Sequence, residues 1–173
     1  FGARTLGDAE PKYLNSAESL IFQKRKTFYG LDRAHAAIRA ARCALVVEGY
    51  FDVLRLVQAG IEHVVAPLGT ALTGDQVELL KRYTKFVTLL YDSDAAGLRA
   101  TFRAGDELLR HDVRARVATL PPGEDPDTLV QKGGAEALQP ILRDAVDVLE
   151  RKIQILERKG WFEGVEHRRE ALD

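Results

Sequence analysis

The chain has 173 residues, 46% of them hydrophobic and 29% charged; these proportions build one sizeable α/β core and exclude a chain disordered by composition. No apolar run approaches the ~20 residues that span a bilayer, no signal peptide opens the chain, and a single cysteine, Cys43, excludes both a disulfide framework and a cysteine-built zinc cluster. The formal net charge of −1 is unevenly spread: residues 1–44 hold eight Lys or Arg against four Asp or Glu, +4, which leaves −5 for the remainder.

In chain order, residues 1–30 read as irregular, punctuated by Gly2, Gly7, Pro11 and Gly30. Residues 32–42 are rich in Ala and Arg and predict a helix with Asp32 as a candidate cap. Ala44–Val47 is a short apolar run closed by Glu48-Gly49, the pattern of a buried parallel strand. A helix over 52–59 ends at Gly60, and a second strand covers 63–66. Thr73 is placed to cap a helix over 74–83, where Val77, Leu80 and Tyr83 recur at helical spacing. A third strand, 86–91, stops at Asp92-Ser93-Asp94, and a helix follows over 96–110. A weaker alternating strand over 113–120 is broken by Pro121-Pro122-Gly123, and Glu124–Asp127 leads into a short helix. Residues 144–158 predict an amphipathic helix, with Trp161 and Phe162 beyond it. The strand–helix alternation implies a mainly parallel sheet with right-handed crossovers and helices on both faces.

Acids stand just after three predicted strands: Glu48, Asp92 with Asp94, and Asp125 with Asp127. Sites in open α/β sheets form beyond the carboxyl ends of strands, where strand order reverses. If the first and third predicted strands are neighbours, Glu48 meets Asp92 and Asp94 in one crevice. Carboxylates crowded in this way repel one another unless a cation compensates them. Mg²⁺ or Mn²⁺ suits an all-oxygen set that leaves coordination positions for phosphates. Asp-x-Asp alone carries little weight: thirteen Asp residues yield two such pairs here, and such pairs also serve as turns and helix caps. Asp52 is equally readable as the N-cap of its helix, and Asp125 and Asp127 as caps ahead of a Pro-started one. The basic N-terminal segment fits a phosphate-binding face, and also an ordinary mixed-charge surface. His35, His63, His111 and His167 have no ligand-like spacing, and Cys43 reads as packing.

Val47-Glu48-Gly49-Tyr50-Phe51-Asp52-Val53 resembles the "VEGYMDV" stretch of bacterial DnaG-type primases. Leu68–Thr73 resembles their "LGTALT" loop, Tyr91–Gly97 their "FDGDRAG", and Glu124–Leu129 their "EDPDTL". Upstream, Pro11–Ser16 and Phe22-Gln23-Lys24 resemble "PKYLNS" and "FHK". The departures are Phe51 for Met, and Ser93 and Ala95 for the frequent Gly and Arg; the last removes a cation beside the acids.

The resemblance implies a Toprim-type α/β fold: a basic N-terminal segment over 1–43, a Toprim domain over 44–135 and a helical segment over 136–173. It implies template-directed synthesis of RNA primers from NTPs on single-stranded DNA. A 3′-hydroxyl attacks the α-phosphorus of an incoming nucleotide, and pyrophosphate leaves. Glu48, Asp92 and Asp94 are then catalytic and hold Mg²⁺ or Mn²⁺, with Asp52, Asp125 and Asp127 as further carboxylates. Lys12, Lys24, Asn15 and Arg4 are assigned to template or nucleotide phosphate, and Gly69 and Thr70 to the crevice floor.

The family also implies a cytoplasmic, monomeric core without membrane contact. Zinc belongs to an N-terminal domain, and the replicative helicase and single-strand-binding protein to parts outside this sequence. The start at Phe1 and the lack of any Met are the pattern expected of a piece of a longer protein. The rival readings are another Toprim enzyme, a topoisomerase or nuclease, and a non-catalytic receiver-like module. A topoisomerase needs a tyrosine nucleophile, and Tyr13, Tyr29, Tyr50, Tyr83 and Tyr91 have no context that marks one.

Overall fold

A computed structural model describes residues 2–5, 13–69, 71–158 and 160. Strands β1 (Gly2–Arg4) and β2 (Tyr13–Asn15) form a two-stranded antiparallel pair. The main sheet contains β3 (Phe28–Tyr29), β4 (Ala44–Val46), β5 (Val64–Pro67), β6 (Phe86–Leu89), β7 (Arg114–Val117) and β8 (Val146–Asp147). Its order is β3-β5-β4-β6-β7-β8. The four central strands are parallel, and both edge strands run antiparallel. This is a mixed, mostly parallel α/β sheet, as the strand–helix alternation implies.

The helices are α1 (Leu31–Ala41), α2 (Tyr50–Gln58), α3 (Gly74–Lys81), α4 (Ala95–Arg110), α5 (Pro126–Arg143) and α6 (Val148–Arg158). They cover both faces because successive strand residues point to opposite sides. Ala44 and Val46 join the core beneath α1, α3 and α4, where Ile38, Val77, Leu80 and Leu108 are buried. Leu45 and Val47 join the opposite core beneath α2 and α5, with Val53, Leu56, Val130 and Leu138. Burial of each large aliphatic side chain contributes about 1.5–3 kcal/mol. Strands β4 and β5 are apolar throughout because both of their faces are covered, whereas β7 alternates, with Arg114 and Arg116 exposed.

Several elements differ from the sequence expectation. Residues 1–30 are not wholly irregular, since β1, β2 and β3 lie there. The cap of α1 is Gly30, in the left-handed region at φ 83°, and Asp32 lies in the first turn. The helix after Asp125 is long rather than short. It continues to Arg143 across a break at Gly134, whose φ of 66° and ψ of −168° are non-helical. The expected single helix over 144–158 instead opens with β8, and α6 starts at Val148. Thr73 does cap α3, with its hydroxyl accepting from the Gln76 N–H at 3.3 Å. Trp161, Phe162 and His167 lie outside the described residues. No described helix is long and apolar enough to cross a membrane.

Candidate functional site

Chain order gives the sheet a switch point. From β4 the chain moves to β5 on one side, then returns to place β6 on the other. Ligand crevices form beyond the carboxyl ends of strands at such a point. Glu48 lies just past β4, and Asp92 just past β6. A Glu48 carboxylate oxygen accepts the Asp92 backbone N–H at 3.2 Å. The approach of α4 depends on Gly97: a Cβ there would stand 2.3 Å from the Asp92 carbonyl oxygen and 2.9 Å from Glu48 Oε1.

Around this junction lies a crevice of about 450 Å³, lined by Glu48, Asp52, Asp92, Asp125 and Asp127 together with Asn15, Gly49, Tyr50, Phe51 and Gly69. The expected acids after β4, β6 and β7 thus converge, with the exception of Asp94. Its Oδ1 accepts the Gly97 N–H at 2.7 Å and caps α4, and it does not line the crevice. Its charge still acts on Glu48.

Asp52 is not the cap of α2. That position belongs to Gly49, and Asp52 sits in the first turn with its carboxylate accepting the Gly49 N–H at 3.0 Å. Asp125 is a true cap, accepting the Thr128 N–H at 2.6 Å at the start of α5. Asp127 is ion-paired with Arg55 of α2. Ser93 joins two of the acidic loops: its hydroxyl accepts the Gly123 N–H at 3.0 Å and donates to the Glu124 carbonyl at 3.1 Å.

Like charges make the crevice electrostatically costly. Partial burial raises the Glu48 pKa, and the charges of Asp92 and then Asp94 add to it, against the opposing Asp92 N–H. Asp52 is pushed up to about 7, first by burial and then by Asp92, Asp125 and Glu48, while the Gly49 N–H opposes. Tyr91, buried beside Glu48, is also raised.

Asn15 closes one wall. Its Nδ2 donates to the Leu68 carbonyl at 3.3 Å, and its Oδ1 accepts from the Tyr50 hydroxyl. Tyr50 in turn packs against Tyr29, with ring centroids 4.9 Å apart. Gly69 lies in the left-handed region at φ 71°, and a Cβ there would fall 2.8 Å from Asn15 Nδ2. Lys24 does not line this crevice. Its backbone N–H donates to Glu18 at 3.1 Å, and its carbonyl accepts from the Gln76 amide. Lys12 and Thr70 lie outside the described residues, and of Arg4 only the backbone is described.

Sequence reasoning missed Arg55 and Tyr50. Arg55 was visible as a lone cation three residues after Asp52, but its pairing with Asp127, 72 positions further on, depends on the α2–α5 packing.

Among the described residues, no three His, Cys, Asp or Glu side chains are grouped closely enough to hold one ion between them. The donor chemistry nevertheless fits a hard divalent cation. The donors are carboxylate oxygens, burial and neighbouring carboxylates raise the pKa of Glu48 and Asp52, and sparse protein ligation matches Mg²⁺, which keeps waters and takes substrate phosphates.

Residues 45–130 match the Toprim-like family, and residues 1–35 match the family described as DNA primase catalytic core, N-terminal domain. The DNA primase of Halalkalibacterium halodurans is 49% identical over 136 residues, which cover 79% of this chain and 23% of that protein. Among solved structures, the Escherichia coli primase catalytic core superposes with a TM-score of 0.85 at 40% identity, covering 98% of this chain and 55% of that one. The chain belongs to the bacterial DnaG-type DNA primase family. A DnaG primase catalytic domain bound to single-stranded DNA is similar to the same degree, with a TM-score of 0.85 and 40% identity over 98% of this chain and 54% of that one. The chain spans about a quarter of the length of the curated primases it matches. The Toprim-like match runs from within β4 through β7 and contains all six named acids, and the N-terminal primase match contains Arg4, Lys12, Asn15 and Lys24. The main sheet is the Toprim fold of the primase catalytic core.

Proposed function

We propose that this chain is the nucleotidyl-transfer centre of a DNA primase, joining NTPs into short RNA primers on a single-stranded DNA template. The observation that carries the reading is the meeting of Glu48 with Asp92 at the switch point, with Asp52, Asp125 and Asp127 around the same crevice. Glu48 and Asp92 hold Mg²⁺ or Mn²⁺, and Asp94 contributes charge from the cap of α4. The ion supplies neutralisation of charge on the transferring and leaving phosphate oxygens when it is bound.

The remaining work falls to the chain's own side chains. Asn15, fixed at both ends by Leu68 and Tyr50, keeps one wall of the crevice rigid for an incoming nucleotide. Arg55 holds Asp127 in place. The basic 1–43 segment, with Arg4, Lys12 and Lys24, attracts template phosphates without reading bases. The Toprim unit over 44–135 carries the chemistry, and β8, which lies within the expected 136–173 helical segment, closes the sheet edge. In the longer protein the core works as a cytoplasmic monomer, with zinc, the replicative helicase and single-strand-binding protein engaged through other domains.

Electron paramagnetic resonance of Mn²⁺ titrated into the chain tests the reading directly. Micromolar to submillimolar binding is expected, weakened at least tenfold by Glu48→Gln. Equal Mn²⁺ affinity in the parent and the variant would refute the assignment.

A further inference from the structure

At the opposite end of the sheet, the stretch around the amino ends of β4, β6 and β7 has the opposite sign of charge, while exposed Glu62 stands before β5. At the amino ends of β4, β6 and β7 and the end of α1, Arg39, Arg42, Arg82, Lys85 and Arg114 are all exposed. None of them makes an ion pair among the described residues. Backbone contacts gather them along one rim. The Thr84 hydroxyl donates to the Arg42 carbonyl at 2.8 Å, and the Arg114 N–H donates to the Lys85 carbonyl at 2.9 Å. Glu78 of α3 is taken up by Lys81 at 3.0 Å and His111 at 2.9 Å, and Asp112 is exposed on the turn before β7.

Aromatic rings are interleaved with these cations. Phe86 begins β6 directly opposite Arg114, which lies 5.4 Å from the ring centroid, and Phe86 remains 47% exposed. Arg39 lies 5.0 Å from the Tyr83 centroid, and His35 is 6.0 Å from the same ring. A phenylalanine at an exposed strand start serves no core, because the buried cores form from the following residues Val87 and Leu89.

We propose that this rim is a second nucleic-acid contact, which holds a single strand through its phosphates and stacks a base on the free face of Phe86. Cations beside an exposed aromatic ring such as Phe86 are what single-strand binding uses, since every base has a π-face and every linkage a charge; Tyr83 is half-buried against the core and supports Arg39 from below. An acidic protein segment would satisfy the cations but leave the exposed Phe86 ring unused, so a polynucleotide is the better fit. The four-residue strand β6 alone separates the rim from the crevice by about 13 Å, at ~3.3 Å per residue. That exceeds the Debye length of ~8 Å at physiological salt, so the acidic crevice does not cancel the rim's field. The inference is independent of the polymerase reading: it holds whether or not Glu48 and Asp92 carry chemistry.

The test is fluorescence anisotropy of the chain with labelled oligo-dT in EDTA, over a range of KCl concentrations. Lys85→Ala combined with Arg114→Ala should weaken binding about fivefold or more at low salt and reduce the salt slope by about 1.4, for two lost single-strand phosphate contacts. Phe86→Ala should weaken binding at least fivefold with the slope unchanged. Bromouridine photocrosslinking should recover the peptide containing Phe86. All substituted positions are exposed, and unchanged circular dichroism and melting temperature establish that the variants fold. The same losses are expected in an Asp92→Asn background, which separates this result from the fate of the crevice assignment. Parental affinity and slope in the double variant would overturn the proposal. So would competition by polyglutamate as effective as that by oligo-dT at equal charge.

Discussion

The Glu48 carboxylate accepts the backbone N–H of Asp92 at 3.2 Å, tying the end of one strand to the end of its neighbour across 44 positions of sequence. The bond fixes one oxygen of Glu48 and sets its charge beside that of Asp92. The cost of that proximity and its use are both open to measurement.

Asp92→Asn keeps the shape of the side chain and removes one of the repelling charges. In metal-free buffer the variant should be as stable as the parent or slightly more so, because the desolvated Glu48 and Asp52 lose a like-charged neighbour. If the proposed reading holds, nucleotide incorporation on a single-stranded DNA template should fall by at least 100-fold in this variant. Activity near the parental level, measured by nucleotide incorporation, would remove Asp92 from the chemistry.

Asp52 makes stability depend on pH with a definite sign. Its pKa is raised from 3.8 to about 7, so between those values the folded chain keeps a proton that the unfolded chain has released. Stability therefore falls as pH rises through this window and levels off above it. Asp52→Asn cannot ionise and can still accept the Gly49 N–H. In EDTA at pH 8 it should exceed the parent by roughly 1–3 kcal/mol, after allowance for the partial exposure of the site. That advantage should vanish near pH 4. Urea unfolding at several pH values checks this, and curves that stay parallel would contradict it.

Gly97→Ala should disturb the junction without adding or removing charge. The new methyl meets the Asp92 carbonyl, which is backbone and cannot swing aside. Overpacking of this kind costs about 1–3 kcal/mol. Separation of Glu48 from Asp92 should also lower Mn²⁺ affinity, so calorimetric melting and Mn²⁺ titration should move together.

Gln76 is fully buried and binds the N-terminal segment to α3. Its amide donates to the Lys24 carbonyl at 3.1 Å and the Thr27 carbonyl at 2.8 Å, and its oxygen accepts the Thr73 N–H at 3.1 Å. Gln76→Leu strands all three groups, at a cost of about 2–4 kcal/mol in urea unfolding. Gln76→Glu should also be destabilising, since a carboxylate cannot donate to either carbonyl.

The parallel centre of the sheet is legible because β4 and β6 are largely apolar runs stopped by an acid, and because strand and helix patterns alternate through β7, whose own alternation is weak. The adjacency of β4 and β6, on which the crevice depends, is a condition that the sequence does not decide, and the register Val46↔Leu89 meets it. The two-residue edge strands β3 and β8 were not legible: they are too short to show a period, and their pairing depends on partners already in place. Gly133-Gly134 and Pro140 made the segment after Asp125 look like a short helix, whereas the chain resumes its helix beyond the break at Gly134. Among the six acids, five line one crevice and Asp94 caps α4, a difference the sequence does not show. That depends on the entry angle of the helix, which Gly97 permits.

A crevice whose walls come from β4, β6 and the loop beyond β7 has no local existence. Each wall by itself is an ordinary helix start, and only pairing of distant strands turns three such starts into one negatively charged mouth. Whatever grips both Glu48 and Asp92 therefore acts as a clasp on the sheet, favouring the folded state by mass action and opposing any loosening of β4 from β6. Chelation should accordingly speed amide exchange in these two strands before it alters the helices around them.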